Sequence, residues 1–190
     1  MRDCGLMRYV GDESLFERLL GGDQECLRPL MERHGDACTL YVNGYVRDID
    51  AAEDIMIEAY SRMLAKRPRL HAGGFKPYLY KTARNLALRH VRLRGRFMGL
   101  DELGGEPADA ARAEDDVLRD ERARALYRCL GKINQDHREA LYLVYIEGMS
   151  YDEAGAVMRR TRKQIDNLVQ RGKKAMRPLL AEEGISNEDD

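Results

Sequence analysis

The 190-residue chain has no tryptophan and only three phenylalanines, and its four cysteines form no CxxC pair and have no histidine at ligand spacing. The lack of pairing excludes a disulfide framework, so the thiols are expected to be reduced, with Cys38 and Cys129 acting as small hydrophobes in helical patterns. His34, His71, His90 and His137 are equally dispersed, and no metal site is expected. No apolar run approaches the roughly 18–20 residues that span a bilayer, which excludes insertion as a membrane helix. The opening MRDCGLMRYVGDES has no apolar core of about 7–15 residues, so it does not read as a signal peptide, and the cytoplasm is the expected location. Alternation of period two is missing, and with it any candidate strand. There is no Ser/His/Asp set, no carboxylate pair in an apolar setting and no phosphate-cradling glycine loop. Catalysis and a cofactor are therefore not expected.

What the chain does have is charge, segregated into blocks behind a formal net charge of -1. Residues 1–65 carry 7 basic and 13 acidic side chains, residues 66–96 carry 10 and none, residues 97–121 carry 2 and 9, and residues 122–190 carry 13 and 11. Within the last block, eight Lys or Arg lie between Arg159 and Arg177 with Asp166 as the single acid. Two cationic segments separated by an acidic one point to a polyanion as partner.

Apolar residues recur at helical spacing almost throughout, so the fold class is all-α. The first three helices hold Leu15, Phe16, Leu19 and Leu20; then Leu27, Leu30, Met31 and His34 on to Tyr41 and Tyr45; then Ile55, Met56, Ala59, Tyr60, Met63 and Leu64. Ser14 and Asp23 are the expected N-caps of the first two, and Asp50 opens the third. The proline and paired glycines of KRPRLHAGG, residues 66–74, make a loop before a fourth helix over about residues 75–94. Residues 1–96 read as one helical domain. Residues 97–116, rich in glycine and acids, read as a linker, residues 117–181 as a second four-helix domain, and the polar residues 182–190 as a frayed tail.

The strongest local signal lies in that second domain. After Gly148, Ser150 with Glu153 three residues on forms a capping box for a short helix holding Ala154, Val157 and Met158. Thr161 then caps another helix, in which Ile165, Leu168 and Val169 share one face. Arg162, Lys163, Gln164, Asn167, Arg171 and Lys174 project away from them. Two short helices joined by a tight turn, the second polar and basic outside, make a helix-turn-helix, and Arg, Lys, Gln and Asn are the types that read base edges and phosphates. An ordinary amphipathic helix with a solvated basic face has the same pattern.

Three stretches together resemble the sigma-70 family of bacterial RNA polymerase sigma factors, in its compact extracytoplasmic-function (ECF) group, which keeps only regions 2 and 4. Ala52-Glu53-Asp54-Ile55 through Glu58-Ala59-Tyr60 resembles the region 2.2 helix. Phe75-Lys76-Pro77-Tyr78-Leu79-Tyr80-Lys81-Thr82-Ala83-Arg84-Asn85 resembles the region 2.3 to 2.4 motif. HREALYLVYIEGMSYDEAGAVM and the helix after it resemble region 4.

The resemblance implies a non-enzymatic initiation factor that binds core RNA polymerase and promoter DNA. Glu53, Asp54, Ile57 and Glu58 are then the polymerase-binding face. Tyr78, Lys81, Arg84, Asn85, Arg89 and Arg92 meet the minus-10 element, with ring surfaces from Phe75, Tyr78 and Tyr80, of which Phe75 belongs mainly to packing, as does Leu79. The 66–74 loop is similar to the one that captures a flipped base. The second-domain helix reads the minus-35 element. The linker either threads toward the polymerase cleft or is a plain tether. An anti-sigma partner is also implied. The chain departs from the family pattern at Tyr78 (usually Trp), Ile57 (often Gln), Arg159 (the turn glycine), and Asp166 and Leu168 (commonly basic). Asp166 either accepts from a cytosine amino group or faces away from the groove. A stand-alone helix-turn-helix regulator, or a sigma-like interaction protein without promoter recognition, is the alternative.

Overall fold

A computed structural model of the chain describes residues 10–97 and 121–185, and all its regular structure is helical. The chain divides into two compact units, one built from the helices up to Phe97 and the other from those after it. The expected linker, apart from Phe97, and the end of the polar tail lie outside the described residues.

The first unit contains α1 (Asp12–Leu20), a 3-10 turn (Gln24–Cys26) leading into α2 (Leu27–Val46), α3 (Ile49–Lys66) and α4 (Phe75–Phe97). Its core is a cluster of rings. Phe75 lies 5.5 Å from Phe16, 5.4 Å from His34 and 6.2 Å from Tyr60, and Tyr80 lies 5.0 Å from Tyr41. The Tyr60 hydroxyl ties α3 to α2 by donating to the Leu30 carbonyl at 3.0 Å. Phe75 and Leu79 are fully buried, as expected, but so is Tyr80, which removes it from any exposed ring surface. It falls on the same face of α4 as Ala83 and Ala87, which are also buried.

Helix starts differ from expectation where long-range bonds intervene. Helix α1 begins after Gly11, so Ser14 is internal to it, and Asp12 and Glu13 occupy its first turn, where carboxylates meet the positive end of the helix dipole. Glu13 also accepts from the Phe75 N–H at 2.9 Å, giving α4 an N-terminal cap from 62 residues away. Asp23 precedes the 3-10 turn without a capping bond, because its carboxylate is held by Arg18 at 2.7 Å. Helix α3 starts at Ile49, placing Asp50 inside its first turn.

The second unit contains α5 (Glu121–Lys132), α6 (Gln135–Leu141) continuing into a π-helical turn (Tyr142–Ile146), α7 (Tyr151–Met158) and α8 (Arg162–Glu182). Helix α8 is the hub, packing on α6, α7 and α5. It buries Ile165, Val169, Gly172 and Met176, while Leu168, expected on that face, is only half-buried. A Cβ on Gly172 would lie 2.9 Å from a Leu141 methyl, so glycine sets how closely α8 approaches α6. Cys26, Cys38 and Cys129 are buried and form no disulfide, and burial pushes the thiols of Cys26 and Cys129 up.

Among the described residues, three helices end on an arginine in the left-handed region: Arg47 (φ 54°) after α2, Arg67 (φ 48°) after α3 and Arg159 (φ 56°) after α7. Glycine usually occupies such positions, because an L side chain there costs about 1–2 kcal/mol. A cation is nonetheless well placed at the negative end of a helix. Arg67 adds a specific contact, its guanidinium donating to the Leu20 carbonyl at the end of α1.

Candidate nucleic-acid interface

On α3, Glu53, Asp54, Ile57 and Glu58 are all exposed, on the side opposite the buried Ala52, Ile55, Met56, Ala59 and Tyr60. Ile57 is 53% exposed, an aliphatic chain in an acidic rim. Glu58 is bonded to Arg62 at 2.6 Å, so Glu53 and Asp54 supply most of the net negative charge on this face.

On α4, at about 100° per residue, Tyr78, Lys81, Asn85, Arg89 and Arg92 fall within a stripe roughly 80° wide. Lys81, Asn85, Arg89 and Arg92 are exposed and Tyr78 is half-exposed. The stripe is opposite the buried Leu79, Tyr80, Ala83 and Ala87. Arg84 is half-buried on one flank. Five of the six candidate residues on this helix therefore share one face because the core takes the other. The stripe carries cations along its length and one aromatic near its start, the combination that single-stranded nucleic acid requires.

In the second unit, both expected caps form. The Ser150 hydroxyl accepts from the Glu153 N–H at 3.2 Å while the Glu153 carboxylate accepts from the Ser150 N–H at 2.8 Å. Thr161 repeats the arrangement with Gln164, whose side-chain oxygen accepts from the Thr161 N–H at 2.8 Å. The turn between α7 and α8 runs through Arg159, and the Arg160 N–H closes on the Gly155 carbonyl at 2.9 Å. A Cβ on Gly155 would meet the Arg160 carbonyl oxygen at 2.7 Å, so glycine in α7 admits the close approach of the turn.

This helix-turn-helix carries an open groove of about 200 Å³, lined by Asp136, Arg160, Gln164, Asn167, Leu168 and Arg171. Of the six candidate residues on α8, the structure brings Gln164, Asn167 and Arg171 together there. Lys163 and Lys174 are exposed outside the groove, and Arg162 reaches back to Asp152 at 3.0 Å. Three groove residues escaped sequence reasoning. Leu168 shares its helical face with Ile165 and Val169 by spacing alone, and Arg160 and Asp136 form an ion pair at 3.1 Å across 24 positions, which no local pattern reveals.

Asp166 is not in the groove. It shares a flank with Lys173, whose ammonium lies 4.6 Å from the centre of the Tyr145 ring. Burial, and after it the charges of Tyr145 and Asp166, push the phenol of Tyr151 at the start of α7 up, with Lys173 pulling the other way. Tyr145 is 54% exposed, turned outward by the π-helical turn that buries Leu143. Among the described residues, no group of His, Cys, Asp or Glu could hold a metal ion, and no helix is long and apolar enough to cross a membrane.

Comparison with known proteins agrees with the division into two units. The family model for sigma-70 region 2 matches residues 30–97, and that for sigma-70 region 4 matches residues 123–176. The chain is 30% identical to the RNA polymerase sigma factor CarQ of Myxococcus xanthus, over 88% of this chain and 96% of that protein. It is 28% identical to the ECF RNA polymerase sigma-E factor of Escherichia coli K12, over 87% and 97%. In fold it is similar to CnrH, solved in complex with the cytosolic domain of CnrY, at a TM-score of 0.62 and 22% identity over 90% of this chain and 97% of that one. A similar fold is that of the sigma factor RpoE of Bartonella quintana, solved with the anti-sigma factor NepR, at a TM-score of 0.61 and 20% identity over 82% and 96%. Two region matches in family order, together with relatives that align along nearly their whole length, show that the chain belongs to the sigma-70 family of RNA polymerase sigma factors, in its ECF group, and directs transcription initiation.

Proposed function

We propose that the two units divide promoter recognition between them, with the exposed face of α3 engaging core polymerase. The observation that carries this reading is the pair of cationic helix faces, one on α4 and one around α8, each turned away from its own core. In the proposed division, residues 1–96 bind polymerase and the minus-10 element, residues 97–116 link, residues 117–181 bind the minus-35 element, and residues 182–190 are a tail. Glu53, Asp54, Ile57 and Glu58 dock on polymerase, where an aliphatic centre ringed by acids favours a basic partner with an apolar patch. Tyr78, Lys81, Arg84, Asn85, Arg89 and Arg92 hold the separated minus-10 strand, stacking and phosphate contacts offsetting part of the cost of unpairing. Arg162, Lys163, Gln164, Asn167, Arg171 and Lys174 engage the minus-35 duplex, with Gln164, Asn167 and Arg171 nearest the bases. The protein works by binding energy rather than bond chemistry, in the cytoplasm with the polymerase. An anti-sigma factor covering these faces would hold it inactive, a proposal supported by the complex of the sigma factor RpoE with the anti-sigma factor NepR.

The test is run-off transcription from a genomic fragment library with purified core polymerase, with and without this protein, sequencing the transcript starts. Starts that require the protein and share two upstream motifs are expected. Tight polymerase binding without any such starts would leave an interaction protein instead. Replacing Glu53 and Asp54 by Ala should weaken polymerase binding at least tenfold while leaving the duplex affinity of the free protein unchanged. Loss of both would mean a folding defect.

A further inference from the structure

We propose that Leu168 is a base-reading side chain, selecting a thymine in the upstream promoter element through its 5-methyl group, and that Asp166 reads no base. This inference rests on the assignment of α8 to the upstream duplex. Leu168 is the one purely hydrocarbon side chain in a groove whose other lining residues, Asp136, Arg160, Gln164, Asn167 and Arg171, are all polar or charged. It is half-buried rather than sealed in the core, whereas its helix neighbours Ile165 and Val169 have no exposure. Gln164, Asn167, Leu168 and Arg171 are spaced i, i+3, i+4 and i+7, a continuous strip on one side of the helix.

Among the base edges displayed in a major groove, only thymine carries an apolar group, so a leucine held among hydrogen-bonding side chains distinguishes thymine from cytosine by contact with that methyl. Asn167 beside it is the side-chain type that pairs with adenine N6 and N7, and the two together fit an A·T step. Asp166, two residues from Leu168, projects about 160° away around the helix. It lines no part of the groove and falls with Lys173 on the other flank of the helix, away from the strip that holds the readers. An acid at this place in α8 thus need not repel the base pairs being read.

The test uses holoenzyme assembled from core polymerase and the full chain. Its preferred upstream element is first selected from randomised duplexes. Each thymine of that element is then replaced in turn by deoxyuridine, which removes only the methyl. Competition binding of wild-type holoenzyme should weaken about fourfold at one thymine, the value of one buried carbon, and stay within error at the others. With Leu168→Ala that sensitivity should vanish, and with Asp166→Asn the selected element should not change. Wild-type holoenzyme that selects an element yet tolerates deoxyuridine everywhere overturns the role of Leu168, and this readout needs no variant to fold. A new preference at a cytosine position in Asp166→Asn overturns the second half. Failure to select any element would instead overturn the assignment of α8 to the upstream duplex, and the inference with it.

Discussion

Helices α4 and α8 both turn cations away from their cores, but the acids are distributed differently around them. Residues 66–96 contain no Asp or Glu at all, and the Glu13 carboxylate accepts from the backbone N–H at the start of α4. Around α8, Asp136 holds Arg160 at 3.1 Å and Asp152 holds Arg162 at 3.0 Å, both pairs solvent-exposed. Such exposed pairs add little to stability, on the order of 0.2–1 kcal/mol. Their effect is on recognition, because a cation already partnered attracts phosphate less strongly at every sequence. The contrast separates two ways of holding nucleic acid: a segment with no acids of its own, suited to a strand whose bases are splayed, and a surface where acids lie among the cations and discrimination is left to a groove.

The comparison breaks most severely if one unit loses its core. Phe75 has no exposure and meets three other rings, so Phe75→Ala should destabilise the first unit by about 3–5 kcal/mol. Denaturant unfolding should then show two transitions, the second unit's midpoint unchanged. A shift of both together would mean that the units unfold as one.

The electrostatic contrast sharpens through salt dependence. Removing Arg89 and Arg92 should flatten the log-log salt slope of single-strand binding by about 0.7 per lost phosphate contact, and removing Lys163 and Lys174 should flatten that of duplex binding by about 0.9. Asp136→Asn together with Asp152→Asn should steepen the duplex slope, since two arginines lose their protein partners. Slopes indifferent to these acids would show that the pairing does not persist against DNA.

Much of this contrast was legible beforehand, and the part that was not has a common cause. The capping boxes at Ser150 and Thr161 could be read because their partners lie three residues away. The stripe on α4 was recoverable because one helix period orders it. What escaped depends on contacts between elements: the Glu13 cap of α4, the Asp136–Arg160 pair, and the burial of Tyr80, a side chain equally suited to stacking on a base or on Tyr41. The half-burial of Leu168 has a related cause. Helical spacing puts it near the apolar face, and only the packing of α8 on α6 decides which edge of that face is sealed.

Arg159 offers a smaller, more local test. Its φ of 56° and ψ of 46° place it in the left-handed region, the conformation in which the family's glycine would be at ease. Arg159→Gly should therefore raise the stability of the second unit by up to about 1 kcal/mol, since the strain relieved exceeds the added chain entropy of glycine. The thermal midpoint of that unit alone should rise by a few degrees. If duplex affinity falls at the same time, the arginine is retained for phosphate at the expense of the turn.

The smallest effect is confined to the first unit and to acid. Burial pushes the Asp12 carboxyl up, but hydrogen bonds from His34 and Arg33 outweigh it, and the net result lies below the ordinary value of 3.8. The Nε2 of His34 approaches one oxygen at 2.7 Å and Arg33 the other at 2.6 Å, and because an ionised carboxylate can only accept, Nε2 carries the proton. A carboxyl whose pKa is lowered by folding contributes stability that is fully present above its unfolded value and is lost as the pH falls through the folded one. The first unit should thus weaken as the pH drops below about 4, and Asp12→Asn should remove that part of the acid dependence while leaving the second unit's unchanged. Identical acid profiles for the parent and the variant would show that the clasp between α1 and α2 owes nothing to the charge of Asp12.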